Sequence, residues 1–262
     1  MSVYMDLVSY RELFANLFRR DLQKRYKGSL LGVVWVLLPP LILLAIYFLV
    51  FNVLWAVTSD IQDYSLYLLA GLATWVFFAT TLQVGSRAML DNAELIRKTR
   101  FPRQLVAFSV VGANVVTYAV MLLILLVACF IFVPESRDTE LLAVPLAALF
   151  VCFVAGVTLT IACLDALYRD VEHLVGALLL PWFFLTPVFW SWTQFTQHET
   201  IVQIVRYGNP VSPAVSAIRD PLWAGTPPRL VDAVYLVCAA VVALGLGAFT
   251  FRRLDDRIAV EL

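Results

Sequence analysis

Charge is scarce in this chain. Asp, Glu, Lys and Arg make up 15% of its 262 residues, against about 25% in an ordinary soluble domain. Lys+Arg and Asp+Glu are equal at 19 each. The balance excludes a bulk nucleic-acid footprint, and the scarcity excludes a soluble globular surface. The two histidines, His173 and His198, fall on opposite sides of the membrane inferred below, which argues against a two-histidine site within one chain. Cys129, Cys152, Cys163 and Cys238 all lie inside apolar runs with no CxxC spacing. Such thiols behave as small hydrophobes, so neither a disulfide framework nor a metal site is expected. GxxxxGK[ST], GxGxxG, HExxH and GxSxG patterns are absent as well. Without a phosphate cradle, a hydrolytic zinc site or a nucleophile elbow, the chain is read as no enzyme and as holding no cofactor of its own.

Apolar residues are what it has: 61% of the chain, with a mean hydropathy of +0.84. Uncharged runs extend over Leu30–Trp55, Tyr64–Val84, Leu105–Val133, Leu141–Leu164, Leu174–Trp192 and Ala233–Phe251. Each is close to the roughly 20 residues that span a bilayer as a helix. The reading is an all-α integral membrane protein of six transmembrane helices over 30–262, preceded by an amphipathic segment over 1–29. No small-residue cleavage pattern follows the first run, so it is expected to be retained.

Orientation follows from the cations, because Lys/Arg-rich segments stay in the cytoplasm. Arg11, Arg19, Arg20, Lys24, Arg25 and Lys27 precede the first run, and Arg87, Arg97, Lys98, Arg100 and Arg103 occupy the second loop. Arg169 lies in the fourth loop and Arg252, Arg253 and Arg257 at the C-terminus, whereas Arg137, Arg206, Arg219 and Arg229 fall on the other side. Both termini are therefore predicted cytoplasmic.

Four segments outside the runs invite specific readings. Between residues 4 and 26, Leu7, Tyr10, Phe14, Leu17, Phe18, Leu22 and Tyr26 recur at helical spacing with charges opposite, and Ser9 with Glu12 reads as a capping box. This predicts a helix in the cytoplasmic headgroup layer, or a plain positive-inside anchor. In the loop 85–104, Asp91 with Glu94 reads as an N-cap pair opening a short helix that Phe101-Pro102 must end. So short a helix, with Leu95, Ile96 and Phe101 lacking an evident partner, needs a groove in the membrane domain or in another chain; the alternative is an interfacial connector. The outer segment 193–232 carries Pro210, Pro213, Pro221, Pro227 and Pro228 around an apolar stretch, Val211–Ile218, too short to span, so it is re-entrant or interfacial. Asp165, near the cytoplasmic end of its run, reads as an interfacial or arginine-paired carboxylate rather than a proton relay.

Ion-coupled transporters place ionisable groups near mid-span, and none is seen there. Aromatic faces stand instead: Tyr47, Phe51 and Trp55 at i, i+4, i+8, then Tyr64, Tyr67, Trp75 and Phe78, and Trp182 to Trp192 in the fifth run. Aromatic faces accept the C–H faces of sugars, but Trp and Tyr also gather at membrane interfaces, and Phe fills spans.

Arg20-Asp21, Arg25-Tyr26-Lys27, Ser29-Leu30-Leu31-Gly32, Trp35 and Pro40 resemble the opening signature of ABC-2 type permeases that export polysaccharides: the O-antigen, teichoic acid and galactan exporters. Leu69-Ala70-Gly71-Leu72 with Trp75-Val76-Phe77-Phe78 is similar to the family's second span, and Asn92, Leu95-Ile96, Lys98 and Phe101-Pro102-Arg103 to its cytoplasmic coupling loop. Tyr168-Arg169-Asp170-Val171, Leu185-Thr186-Pro187 and Asn209-Pro210 through Arg219-Asp220 continue the likeness. The resemblance implies a homodimer in the bacterial inner membrane, bound to two copies of a separate ATPase that holds ATP and Mg and moving a polyprenyl-linked glycan outward. It implies ATPase coupling through Asn92, Leu95, Ile96, Lys98, Phe101, Pro102, Arg103, Arg169 and Asp170, and substrate entry near Arg20, Arg25, Tyr26 and Lys27. A dimer meeting along the first and fifth runs would put Tyr47, Phe51, Trp55, Trp75, Phe78 and Trp182 on a shared passage. An ABC-2 permease for a drug or lipid, or a membrane assembly subunit without transport, are the competing readings.

Overall fold

The computed structural model describes residues 3–26, 34–50, 61, 63–99, 101–194 and 199–261. Among these, every regular element is helical. Two short helices open the chain, α1 (Met5–Ser9) and α2 (Arg11–Tyr26), followed by α3 (Val34–Tyr47), α4 (Tyr64–Ser86) and the short α5 (Ala93–Lys98). Then come α6 (Gln104–Phe132), α7 (Ala143–Leu167), α8 (Asp170–Leu185), α9 (Glu199–Gly208), α10 (Val211–Arg219) and α11 (Leu230–Glu261).

Four stretches are helical, long and apolar enough to cross a membrane: Tyr64–Ser86, Gln104–Phe132, Glu140–Leu167 and Leu230–Ile258. They coincide with four of the six expected runs. The first run is described only over 34–50, where α3 continues into a wider turn at its end, and Phe51 and Trp55 lie outside the described residues. The fifth, α8, has 16 residues. At about 1.5 Å per residue that is about 24 Å, short of the roughly 30 Å hydrocarbon core. It stops at Leu185 because Pro187 disfavours a helical Thr186, which is extended at φ −99°, ψ 135°.

The bundle is built around α4. Fifteen of its 23 residues are buried, on all sides of the helix, as an all-round apolar helix requires, and α6, α7, α8 and α10 surround it. Phe78 meets the rings of Trp75, Phe150, Phe153 and Trp182 with centroids 5.1 to 6.3 Å apart. Beside it, α7 and α11 approach to backbone contact. A Cβ on Gly156 would collide with the Ala243 carbonyl carbon, and one on Gly247 would fall 2.7 Å from the Gly156 oxygen. Outward faces of α6 (Leu123, Val127, Ile131) and α11 (Val234, Val241, Phe249) stay exposed, as lipid-facing surfaces do.

The N-terminal helix departs from the expected single element. It breaks at Tyr10, and Ser9 closes α1 instead of capping α2; the first bond of α2 runs from the Phe14 N–H to the Tyr10 carbonyl at 2.9 Å. Phe14, Leu17 and Phe18 lie against the N-terminal part of α6, where Gly112 leaves room for the Phe18 ring. The Ser109 hydroxyl donates to Asp21 at 2.6 Å, while Arg11, Glu12 and Arg19 face outward. Thus α2 is amphipathic, and its apolar face is taken up in part by its own chain.

Candidate coupling face and passage

One end of the bundle collects the cation-rich segments. Gln104 Nε2 donates to the Asp6 carboxylate at 2.6 Å, Arg103 Nη1 to Asp255 at 2.6 Å, and Arg87 Nη1 to Glu172 at 3.2 Å. The N-terminal segment, the loop after α4, the α7–α8 turn and the tail of α11 therefore meet at one face.

Within that loop, α5 begins at Ala93 with Asn92 at its cap position. Asp91 does not cap it. It pairs with Arg87 at 3.4 Å, and the buried Asn92 turns its amide back to the Ala88 carbonyl at 2.8 Å. The expectation that Leu95, Ile96 and Phe101 lack a partner in the chain is also corrected. Ile96 is buried in a cluster with Met89, Phe108, Cys163, Ala166 and Ile258. Leu95 and Phe101 rest half-buried against Leu17, Leu105 and Val106. A helix this short gains its order from that groove, which several separate segments of the membrane domain supply. What α5 presents outward is polar: Glu94, Arg97, Lys98 and Thr99 are exposed, with Lys98 and Glu94 paired at 3.4 Å.

Both ends of the loop are fastened. At its close, Arg103 binds both the carboxylate and the carbonyl of Asp255, at 2.6 and 2.7 Å, just beyond the half-buried Pro102. At its start, the Arg87 guanidinium is held above its ordinary pKa by the hydrogen bond and charge of Glu172, and then by Asp91. Arg169 and Asp170 are exposed at the head of α8. Asp165 is fully buried, and among the described residues its hydrogen-bond partner is the backbone of α8, not an arginine: Oδ1 accepts the Glu172 N–H at 2.8 Å.

Of the residues expected at substrate entry, Arg20 pairs with its neighbour Asp21 at 3.1 Å and stays part-exposed. Arg25 and Tyr26 belong to the last turn of α2, with their side chains outside the described set, as is Lys27 entirely. The expected passage residues divide. Tyr47 stacks on Phe189 at 6.1 Å. Trp182 is half-buried and borders a groove of about 330 Å³ with Leu178, Pro181, Leu185 and Ile204. Trp75 and Phe78 are enclosed in the core of a single chain, where they serve packing.

A second polar assembly, at the other end of α8, has no counterpart among the sequence motifs taken singly. Residues 186–190 leave the helix, and side chains bind the carbonyls so freed. Asn209 donates to Leu185 and to the Thr186 hydroxyl at 3.4 and 2.9 Å, Arg219 to the Pro187 carbonyl at 2.7 Å, Tyr64 to Phe189 at 3.0 Å and Tyr67 to Trp190 at 2.6 Å. Such satisfaction by protein donors is what irregular backbone needs at membrane depth. Asn209 also takes the Trp182 indole N–H at 2.7 Å, and the Arg219 guanidinium lies 3.7 Å from the Tyr67 ring centroid. All nine residues of α10, including the short Val211–Ile218 stretch, are buried between α4, α7 and α11.

Residues 12–223 match the ABC-2 type transporter family. The chain is similar to the O-antigen export system permease protein RfbA of Myxococcus xanthus, 29% identical over 242 residues that cover 92% of this chain and 90% of that protein. It is also similar to two proteins of the same name from Klebsiella pneumoniae, 27% and 25% identical over 240 residues, with 91% of each chain covered.

Proposed function

Because the chain belongs to the ABC-2 type transporter family, we propose that it is the permease subunit of an ATP-driven exporter carrying a lipid-linked polysaccharide of the O-antigen kind across the membrane. It is a multi-pass protein of the bacterial inner membrane, and a transport permease of a family that partners an ATPase. In the proposed assembly, two copies of this chain bind two copies of that ATPase, which holds ATP and Mg. The observation that carries the reading is the seated α5. Its apolar face is spent on the chain's own groove, so an exposed rigid ledge of Glu94, Arg97 and Lys98 stands ready for a partner. Arg169 and Asp170 extend the same face.

The proposal assigns the cationic stretch at the close of α2 (Arg20, Arg25, Tyr26, Lys27) to the lipid pyrophosphate, which charge attracts in the headgroup layer. It assigns the passage to the seam of two copies along the first and fifth apolar runs, where Tyr47, Phe51, Trp55 and Trp182 offer stacking faces to sugars. It reads 193–232 as a re-entrant segment dipping from the outer side. Deleting the gene in its own host tests it: surface glycan should vanish and the polyprenyl-linked glycan should accumulate inside, with the tagged permease retaining an ATPase on purification. Unchanged surface glycan would end the proposal.

A further inference from the structure

We infer that Asp165, Glu172 and Arg87 are positioning residues that bind the coupling loop to the first turn of α8, so that displacement of the loop is passed to the fifth apolar helix. This rests on the export reading above.

Asp165 is fully buried at the end of α7 and accepts the Glu172 N–H at 2.8 Å, across the turn at Tyr168 and Arg169. That bond satisfies one of the orphan donors at the head of α8 and puts a carboxylate at the positive end of the helix. It also fixes the direction in which the Glu172 side chain leaves the helix. The Glu172 carboxylate then reaches Arg87, 85 residues earlier in the chain, at 3.2 Å, and Arg87 grips Asp91 at the start of the turn leading into α5. Loop and helix head thus form one bonded unit.

The rest of α8 is less enclosed than α4: Phe183 alone among its residues is fully buried, against fifteen in α4. Its remaining polar ties lie at the far end, from Trp182 and Thr186 to Asn209. Between those ties one face of α8 rests on the core through Val175, Leu179 and Phe183 while the other stays open, so its polar fastenings lie at its two ends and a displacement of its head is carried along its length. The Arg103–Asp255 pair ties the other end of the loop to α11, and α11 is packed against α7 at backbone distance. The loop is therefore fastened to α11 at its close and to the head of α8 at its start.

The Arg87–Glu172 pair is exposed, with side chains 51% and 30% accessible, so its loss costs the fold little and the chain can be tested intact. The experiment compares wild type, Arg87→Glu, Glu172→Arg and the double exchange. It measures ATPase retained on the tagged permease, ATP hydrolysis by the purified complex, and surface glycan on intact cells by periodate–hydrazide labelling. Each single reversal should keep the ATPase bound and hydrolysing while surface glycan falls about tenfold, within the usual range of site–site coupling. The double exchange should bring it back. Asp165→Asn, which keeps an acceptor for the Glu172 N–H, should export normally, whereas Asp165→Leu should not. Single reversals that export normally, that lose the ATPase, or that the double exchange fails to rescue would overturn the assignment. Wild-type permease that retains no ATPase would remove the export reading itself, and this assignment with it.

Discussion

Arg206 on α9 and Asp232 on α11 form an ion pair in the interior of the bundle, with 9% and 0% of their side chains exposed. The Arg206 guanidinium also faces the rings of Trp192 and Tyr207. A charge pair so enclosed adds little over a well-packed apolar pair, but losing one member strands the other. Asp232→Ala should therefore lower stability by about 3–5 kcal/mol, read as loss of monodispersity on heating in detergent. Arg206→Met with Asp232→Leu should recover most of it. A single variant as stable as wild type would show that the charge finds water instead.

Asn209 makes four hydrogen bonds, to Trp182, Thr186, Leu185 and the Val211 N–H. Asn209→Leu leaves several buried polar groups unpaired at about 1–3 kcal/mol each, so the variant should be poorly produced. Asn209→Asp keeps the acceptor but loses the amide donors, and should fall between the two in yield and thermal stability.

At Gly156 a methyl group would meet the backbone of Ala243, which no rotamer change can relieve. Gly156→Ala should force α7 and α11 apart at a cost of about 1–3 kcal/mol. A methyl group added at Gly176 in α8 would have nothing within 4 Å, so Gly176→Ala should be neutral or stabilising by up to about 1 kcal/mol through helix propensity. Comparing the two melting points separates steric contact from propensity.

Some elements of this fold are readable in the sequence and others are not. Uncharged length alone locates α4, α6, α7 and α11, because no other structure satisfies so apolar a backbone in lipid. The end of α8 is harder: Pro187 stands in plain view, but the uncharged run continues to Trp192 because hydropathy does not register a helix break. Asn209-Pro210 and Arg219-Asp220 stand out as motifs without showing their partners, since their bonds to the end of α8 join residues 23 to 32 positions apart only after folding. Aromatic spacing does not distinguish the enclosed Phe78 from the groove-facing Trp182. The short α5 is visible from Phe101-Pro102, but its groove, built from Met89, Phe108, Ala166 and Ile258, has no local signal.

The sidedness of the bundle is open to labelling at exposed positions. Ser136 and Ser86 are buried and would make poor probes, whereas Asp138, Thr226 and Lys98 are exposed. In a background lacking the four native cysteines, Asp138→Cys and Thr226→Cys should react with an impermeant maleimide on intact cells. Lys98→Cys should react only after permeabilisation. The cation bias sets this orientation, and the opposite pattern would invert it.

The proposed coupling face separates two kinds of change within one short helix. Ile96 is buried among residues of α6, α7 and α11, so Ile96→Asp places a charge where nothing solvates it and should reduce the amount of folded permease. Arg97 and Lys98 point away from the chain, so Arg97→Glu with Lys98→Glu should leave folding and abundance unchanged. If the ATPase docks on this ledge, the reversal should weaken its association by about tenfold, or about 1.4 kcal/mol. Rim charges act through long-range attraction, so the wild-type association should also weaken as salt rises, and the reversed variant should lose that dependence. Equal ATPase retention by the reversed and wild-type permeases at low salt would move the docking site off α5, leaving the exposed Arg169-Asp170 turn as the contact to mutate next.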